Sequence, residues 1–446
     1  MDCFRIAGGI PLSGEAVIQG SKNAALPIMA ATILMNGVTV LHRCPRIKDV
    51  FLMQHLLEHM GCRMRWEQDT LSIDTRGLPK ELPEALAKAG GSMGVAEEKK
   101  SSMRSTITLL GALLGRFHSC YMDYPGGCVI GKRPIDMHLH ALETMGAEFV
   151  QGKSGFFAKT ESLRGAEISL RFPSVGVTEN VLLAAVCAEG ETVLYGAAGE
   201  PEVEALCEYL RLLGCEICKQ RRENGKAVLR VTPFVKADIQ TERHVEYTIP
   251  TDRIVAGTYL FACMGAGGEI YLRDAPTEHL GTPLQTLKAM GAGIEQDQHG
   301  IYLKAPDVVY PQQIETAVYP GFPTDLQSPL LAVLATVPGK SIIKENIFEN
   351  RFKVCNELCK MGADIRVDGN TAVVCGGRLH GNCVYAEELR GGAALLVAAL
   401  AAEGSSVIRG CSFIRRGYED IGGDLKKLGG LITEDTGTVF YENIQL

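Results

Sequence analysis

No apolar run in this 446-residue chain is long enough to cross a bilayer: the longest stretches, such as Ala24 to Met35, stop well short of the roughly 20 residues a spanning helix needs. The opening Met1-Asp2-Cys3-Phe4-Arg5 lacks a secretory pattern, so the expected location is the cytoplasm. Positive charge is in short supply as well. Lys and Arg number 45 against 52 Asp and Glu, for a net charge of -7 and a pI near 5.9, which removes the cation surplus that a nucleic-acid surface turns toward phosphates. A local basic pocket is compatible with that balance. Cys215 and Cys218 form the only CxxC, and no second pair completes a zinc site. The 15 cysteines are scattered through apparent strands and helices of a large chain, which suits reduced, buried thiols rather than a disulfide framework.

What the chain does have is length, core and repetition. Hydrophobic residues make up 46% and charged ones 22%, a globular mix, and the length calls for two domains of roughly 200 residues each. An Ala/Leu-rich helix leading through a small-residue turn into an apolar strand recurs at 24–41, 106–122, 178–194, 254–272, 329–343 and 392–408. A second helix also recurs six times, as LLEHMGC, ALETMGA, YLRLLGC, TLKAMGA, ELCKMGA and DLKKLGG. The glycines of these segments, Gly61, Gly146, Gly214, Gly291, Gly362 and Gly429, are expected helix stops in the left-handed conformation. A period of roughly 70 to 85 residues is too long for a solenoid and suits a unit of two helices and several strands. Three units precede residue 250 and three follow it. The expected fold is therefore α/β, in two halves of three βαβ-type repeats.

The segments entering the first helices are polar: Ser21-Lys22-Asn23, Met103-Arg104-Ser105, Pro173-Ser174-Val175-Gly176, Pro250-Thr251-Asp252-Arg253, Pro323-Thr324-Asp325 and Glu388-Leu389-Arg390. Ordinary capping accounts for the Ser, Thr, Asn and Asp. It does not account for Lys22, Arg104, Arg253 and Arg390, because a helix start already carries positive partial charge. An anion between helix and cation would reconcile them. Separately, the glycine- and proline-rich stretch from Pro125 to His138 reads as a loop, with Cys128 beside Lys132 and Arg133. A thiol in such electropositive surroundings can act as acid, base or nucleophile; a plain buried thiol is the other reading.

SKNAALP (21–27), PGGCVIGKRPIDMH (125–138), PSVGVTEN (173–180), FPTDLQ (322–327), FENRF (348–352) and RGYE (416–419) together resemble, in order and over essentially the whole chain, the UDP-N-acetylglucosamine 1-carboxyvinyltransferase family of enolpyruvyl transferases. The resemblance implies two inside-out α/β barrel-like domains, each of three βαβαββ-type units, with the chain crossing between them twice: 22–249 as one domain, and 1–21 with 250–446 as the other. It implies attack of the sugar 3-hydroxyl of UDP-N-acetylglucosamine on C2 of phosphoenolpyruvate with protonation of C3, then loss of phosphate and a C3 proton, in the first committed step of peptidoglycan precursor synthesis. It implies no metal or redox cofactor, and two small-molecule partners, phosphoenolpyruvate and UDP-N-acetylglucosamine. By family position Cys128 is the acid, Asp325 the base, and Lys22, Arg133, Arg390 and Arg416 bind phosphoenolpyruvate. Asn23 and Arg104 contact the sugar nucleotide. Arg133, Pro134, Ile135, Asp136 and Met137, with Phe172, Pro173, Ser174 and Val175, hold uridine and diphosphate, and Ile347 lies against the same ligand.

The chain departs from that pattern at four places. Arg415 stands where Asp precedes Arg-Gly-Tyr, Glu388 where Asp precedes Leu-Arg, and Gly199 where Arg precedes Glu-Pro-Glu. The usual Pro-Asp-Arg-Ile-Glu gains Thr251 and ends in Val255. These changes keep two alternatives open: a UDP-N-acetylglucosamine-binding regulatory module of weak activity, and the sister activity on shikimate 3-phosphate, against which Arg133-Pro134-Ile135-Asp136 argues. Other motifs read blandly. His55-Leu56-Leu57-Glu58-His59 fits an inverted zinc-protease pattern but sits in register with plain copies of the second helix, with no third ligand. Trp66 reads as packing, His140 as surface, Cys355 and Cys359 as core thiols, and Glu97 to Lys100 as a solvated turn. The oligomeric state is left open.

Overall fold

The computed structural model describes residues 2–81, 104–124, 135–221, 227–234 and 241–435. These fall into two compact units, one holding 2–19 and 251–435 and the other 20–250, each with a hydrophobic core of its own. Among the described residues there are six sheets, three per unit, of which the five four-stranded ones are mixed and the sixth is antiparallel. Five have four strands; the sixth has three among the described residues, Ser119–Asp123, Glu148–Gln151 and Gly155–Lys159. The repeat is plainest at Gln313–Glu315, which runs parallel to Gly339–Lys344; that strand pairs antiparallel with Thr371–Gly376, which pairs antiparallel with Asp364–Asp368. A helix crosses between the first two strands and another, Val354–Lys360, leads from Gly339–Lys344 into Asp364–Asp368, which gives βαβαββ. The α/β fold of six repeated units expected from the sequence is the fold observed.

The first helix of each repeat is α1 (Lys22–Thr32), α2 (Leu109–Phe117), α3 (Val175–Ala185), α4 (Arg253–Ala266), α5 (Thr324–Leu334) and α6 (Leu389–Ala401). A helix that is apolar on every face must be surrounded, and α4 shows it: each residue from Arg253 to Met264 is buried. α4, α5 and α6 pack on one another, and the sheets lie outside them. In the other unit α2 packs on α3, and α1 on α2 and on Pro201–Leu212. This is the inside-out arrangement: helices form the core and sheets the wall. The six second-helix glycines all have positive φ, from 87° at Gly429 to 112° at Gly61, so each ends its helix as a left-handed stop.

Distant strands complete two repeats in the half built around α4 to α6. Cys3–Ala7 pairs antiparallel with both Ser405–Arg409 and Leu431–Asp435, and Leu12–Val17 runs parallel to Gly268–Arg273. In the other unit Glu242–Thr248 runs parallel to Asn36–His42, supplying the edge strand of the first repeat. Each exchange covers a sheet edge that would otherwise expose unpaired backbone groups. Among the described residues no helix is long and apolar enough to cross a membrane.

Candidate active site

Cys128, Arg133 and Pro134 lie outside the described residues, as does the side chain of Arg104. The other candidates fall into two sets, one in each unit.

In the unit of residues 20–250, Lys22 opens α1, where a bare cation is disfavoured. Its Nζ lies 2.7 Å from Oδ2 of Asp49, which is 2% exposed in the first turn of helix Lys48–Met60. The anion demanded by the sequence is thus already present as a carboxylate, itself favoured by a helix start. Asn23 follows in the same turn of α1. Ile135, Asp136 and Met137 open the helix Asp136–Thr144, and Phe172, Pro173, Ser174 and Val175 lead into α3. An ion pair between Asp136 and Arg171 brings these two groups together. Phe172 stays 56% exposed beside it.

Below them lies a network whose polarity is fixed. Asn180 Oδ1 accepts from the Gly111 amide (2.7 Å), so its Nδ2 is the donor, giving one proton to Ile107 O (2.9 Å) and the other to His138 Nδ1 (2.8 Å). His138 is held with Nδ1 as acceptor, and a Cβ added at Gly176 would lie 3.3 Å from its ring. The starts of α2, α3 and Asp136–Thr144 are locked together through one buried amide. Glu179, next in the chain, is buried near Glu200 and Glu202; desolvation first and those two carboxylates second push its pKa well up.

The second set centres on Asp325 in the first turn of α5. Its Oδ1 takes a 2.6 Å ion pair from Arg351 Nη2 and its Oδ2 a 3.0 Å pair from Arg390 Nη2. Both guanidinium side chains are under 5% exposed, whereas Asp325 keeps 28%. Arg351 also donates to Thr324 O at 3.3 Å. Burial alone would lower the Arg390 pKa, but the Asp325 charge and Tyr418 raise it. Ile347 is fastened to the same place by Glu345, whose Oε1 accepts from the Ile347 amide (2.8 Å) and whose Oε2 accepts from Thr324 Oγ1 (2.9 Å). Arg416 follows the short helix Cys411–Ile414. Asp325, Ile347 and Arg390 therefore share one site, to which the sequence added neither Arg351 nor Glu345. Arg351 sat inside the FENRF segment as an available signal; Glu345 had none.

Three of the four departures have local explanations. Glu388 caps α6 through the Arg390 amide (2.8 Å) and the Gly391 amide, as Asp252 caps α4 through Ile254 and Val255. Val255 is fully buried in core. A Cβ at Gly199 would meet nothing within 4 Å, so packing does not require glycine there. Arg415 grips Asp2 with two bonds, 2.7 and 2.8 Å, and also pairs with Glu434. Its charge is thus matched by two carboxylates from the ends of the described chain. Arg415→Asp would set three carboxylates together. Denaturant unfolding should show a loss of about 2 kcal/mol, recovered in good part by adding Asp2→Arg; no recovery would mean that the clamp is not electrostatic.

His55, Glu58 and His59 lie on the helix Lys48–Met60, with His55 Nδ1 3.5 Å from Glu58 and His59 Nδ1 2.7 Å from His55 O. Among the described residues no group of three or more His, Cys, Asp or Glu is placed to hold a metal ion.

The family model for EPSP synthase (3-phosphoshikimate 1-carboxyvinyltransferase) matches residues 6–425. The chain belongs to this family. Within it, the chain is 42% identical over 434 residues to UDP-N-acetylglucosamine 1-carboxyvinyltransferase 2 of Caldanaerobacter subterraneus subsp. tengcongensis, covering 96% of this chain and 98% of that protein. It is 40% identical over 437 residues to UDP-N-acetylglucosamine 1-carboxyvinyltransferase of Nitratidesulfovibrio vulgaris Hildenborough, covering 98% and 100%. The solved enolpyruvyl transferase NikO from Streptomyces tendae superposes with a TM-score of 0.83 at 22% identity, covering 98% of this chain and 99% of that one. EPSP synthase from Acinetobacter baumannii gives 0.69 at 18%, covering 98% and 100%. At those identities the two structures speak to the fold, which is that of the enolpyruvyl transferase family.

Proposed function

We propose that this chain transfers the enolpyruvyl group of phosphoenolpyruvate to the 3-hydroxyl of UDP-N-acetylglucosamine, releasing phosphate, in the cytoplasm as a step toward peptidoglycan precursors. The observation that carries the reading is the full-length likeness, at 42% identity, to a protein named for that activity. Asp325 takes the hydroxyl proton as O3 bonds to C2 of phosphoenolpyruvate, and Cys128 gives a proton to C3. Loss of that proton and cleavage of the C2–O bond to phosphate then yield the enol ether. Lys22, Arg133, Arg390 and Arg416 bind the carboxylate and phosphate, the arginines by two-pronged contacts. Asn23, Arg104, Pro134, Ile135, Asp136, Met137, Phe172, Pro173, Ser174, Val175 and Ile347 bind the sugar nucleotide.

Phosphate release from phosphoenolpyruvate, measured with UDP-N-acetylglucosamine, with shikimate 3-phosphate and with neither, tests the reading. Turnover is expected in the first mixture alone. Turnover with shikimate 3-phosphate would assign the sister activity, and binding of the sugar nucleotide without turnover would assign a regulatory module.

Lys22 offers a sharper check. If the substrate anion competes with Asp49 for it, Asp49→Asn should cost about 3 kcal/mol of stability, and phosphoenolpyruvate should raise the thermal midpoint of the variant more than that of the wild type. Equal shifts would show that Asp49 and the substrate do not share Lys22.

A further inference from the structure

Arg390 and Arg416 sit on different elements, the first turn of α6 and the turn after Cys411–Ile414. Two guanidiniums grip one small anion only if their spacing is fixed, because an arginine left to itself loses rotamer freedom on binding. The side chain of Tyr418 links that turn to Arg390. Tyr418 belongs to the turn of Arg416, and its hydroxyl lies 3.4 Å from Arg390 Nη1, with its ring centroid 5.7 Å from Arg390 Cζ.

The direction of each bond follows from the donors available. Thr258 Oγ1 gives its proton to Ile254 O at 2.8 Å, so toward Tyr418, 2.8 Å away, it accepts. Tyr418 therefore donates to Thr258 and turns a lone pair to Arg390, which can only donate. Burial pushes the Tyr418 pKa up, so the hydroxyl keeps its proton at neutral pH. The backbone of the turn is held as well. The Tyr418 and Gly417 amides both donate to Ile414 O (3.2 and 3.1 Å), while the Gln19 side chain donates to Gly417 O (3.3 Å) and accepts from the Glu419 amide (2.8 Å). Tyr418 itself is 1% exposed, so its ring has no room to drift.

We propose that Tyr418 is a positioning residue that sets Arg390 against Arg416, through Thr258 on one side and its own turn on the other, for the carboxylate and phosphate of phosphoenolpyruvate. The inference rests on the activity proposed above. Tyr418→Phe removes one oxygen and leaves the ring. Its KM for phosphoenolpyruvate should rise about tenfold, the scale of a lost bond to a charged donor, while the KM for UDP-N-acetylglucosamine stays within about twofold. Thr258→Val should move the same constant in the same direction by less, and Thr258→Ser, which keeps the hydroxyl, should restore it. Calorimetric binding of phosphoenolpyruvate alone should weaken in parallel. An unchanged KM for phosphoenolpyruvate, or both KM values rising together as the thermal midpoint falls, would reduce Tyr418 to a packing residue. A wild type without turnover would overturn the proposed activity instead, and the calorimetric comparison would then decide the role of Tyr418 by itself.

Discussion

Asp325→Asn should leave a folded protein whose kcat is about 10²- to 10⁴-fold lower, the range that a positioned general base contributes. A sugar hydroxyl is a poor nucleophile until its proton is taken, and Asp325 is the partly exposed carboxylate between two buried guanidiniums, 2.6 Å from Arg351 and 3.0 Å from Arg390. Those contacts orient it and also make the substitution a demanding one. An amide keeps one oxygen for one arginine and turns an NH2 group toward the other, leaving a buried donor without its acceptor at a cost of about 1–3 kcal/mol. Kinetics and stability must therefore be read together. Arg351→Met is the control: it loses a buried partner of the same carboxylate but keeps the carboxylate itself, so its kcat should fall far less than that of Asp325→Asn at a comparable loss of stability. Equal falls in kcat would assign Asp325 a structural role and remove it as the base.

The contrast between Asp325 and its neighbours also shows what the sequence could reveal. The six repeats were legible because each ends a helix on a glycine, and a left-handed stop admits few other residues. The polar helix entries were legible because they break an apolar pattern without a packing reason. The partners of those entries were not. Asp49 is one acid in the first turn of an unremarkable helix, and Glu345 looks like an ordinary turn residue; only the fold brings them to Lys22 and Thr324, as it brings Asn180, the last residue of PSVGVTEN, to His138. The argument from helix starts was correspondingly half complete. It asked for an anion beside Lys22 and Arg390, and the protein supplies Asp49 and Asp325 before any substrate arrives. The exchanged edge strands, Leu12–Val17 and Glu242–Thr248, carry no local mark of their destination either, since strand pairing across hundreds of residues depends on topology rather than on composition.

Cys128→Ser should lower kcat by about 10²- to 10⁴-fold and abolish rapid inactivation by a small electrophilic epoxide. The chemistry asks one group to give a proton to C3 and take one back, which suits a thiol better than a serine hydroxyl, a far weaker acid. Lys132 and Arg133 follow within five residues in the sequence, and cations close to a thiol raise its thiolate fraction. The rest of the chain makes the experiment selective. Desolvation pushes Cys62, Cys120, Cys187, Cys207 and Cys263 up to about 12, so they remain thiols at neutral pH and are poor nucleophiles. Cys218, Cys359, Cys375 and Cys383 are exposed, Cys359 contrary to its expected place in the core beside Cys355, and they set the background of slow alkylation. Peptide mapping after brief treatment should place the adduct on Cys128, and prior addition of UDP-N-acetylglucosamine should change its rate. If Cys128→Ser retains both turnover and epoxide sensitivity, the proton donor to C3 is another residue, and the segment from Pro125 to His138 serves the sugar nucleotide alone.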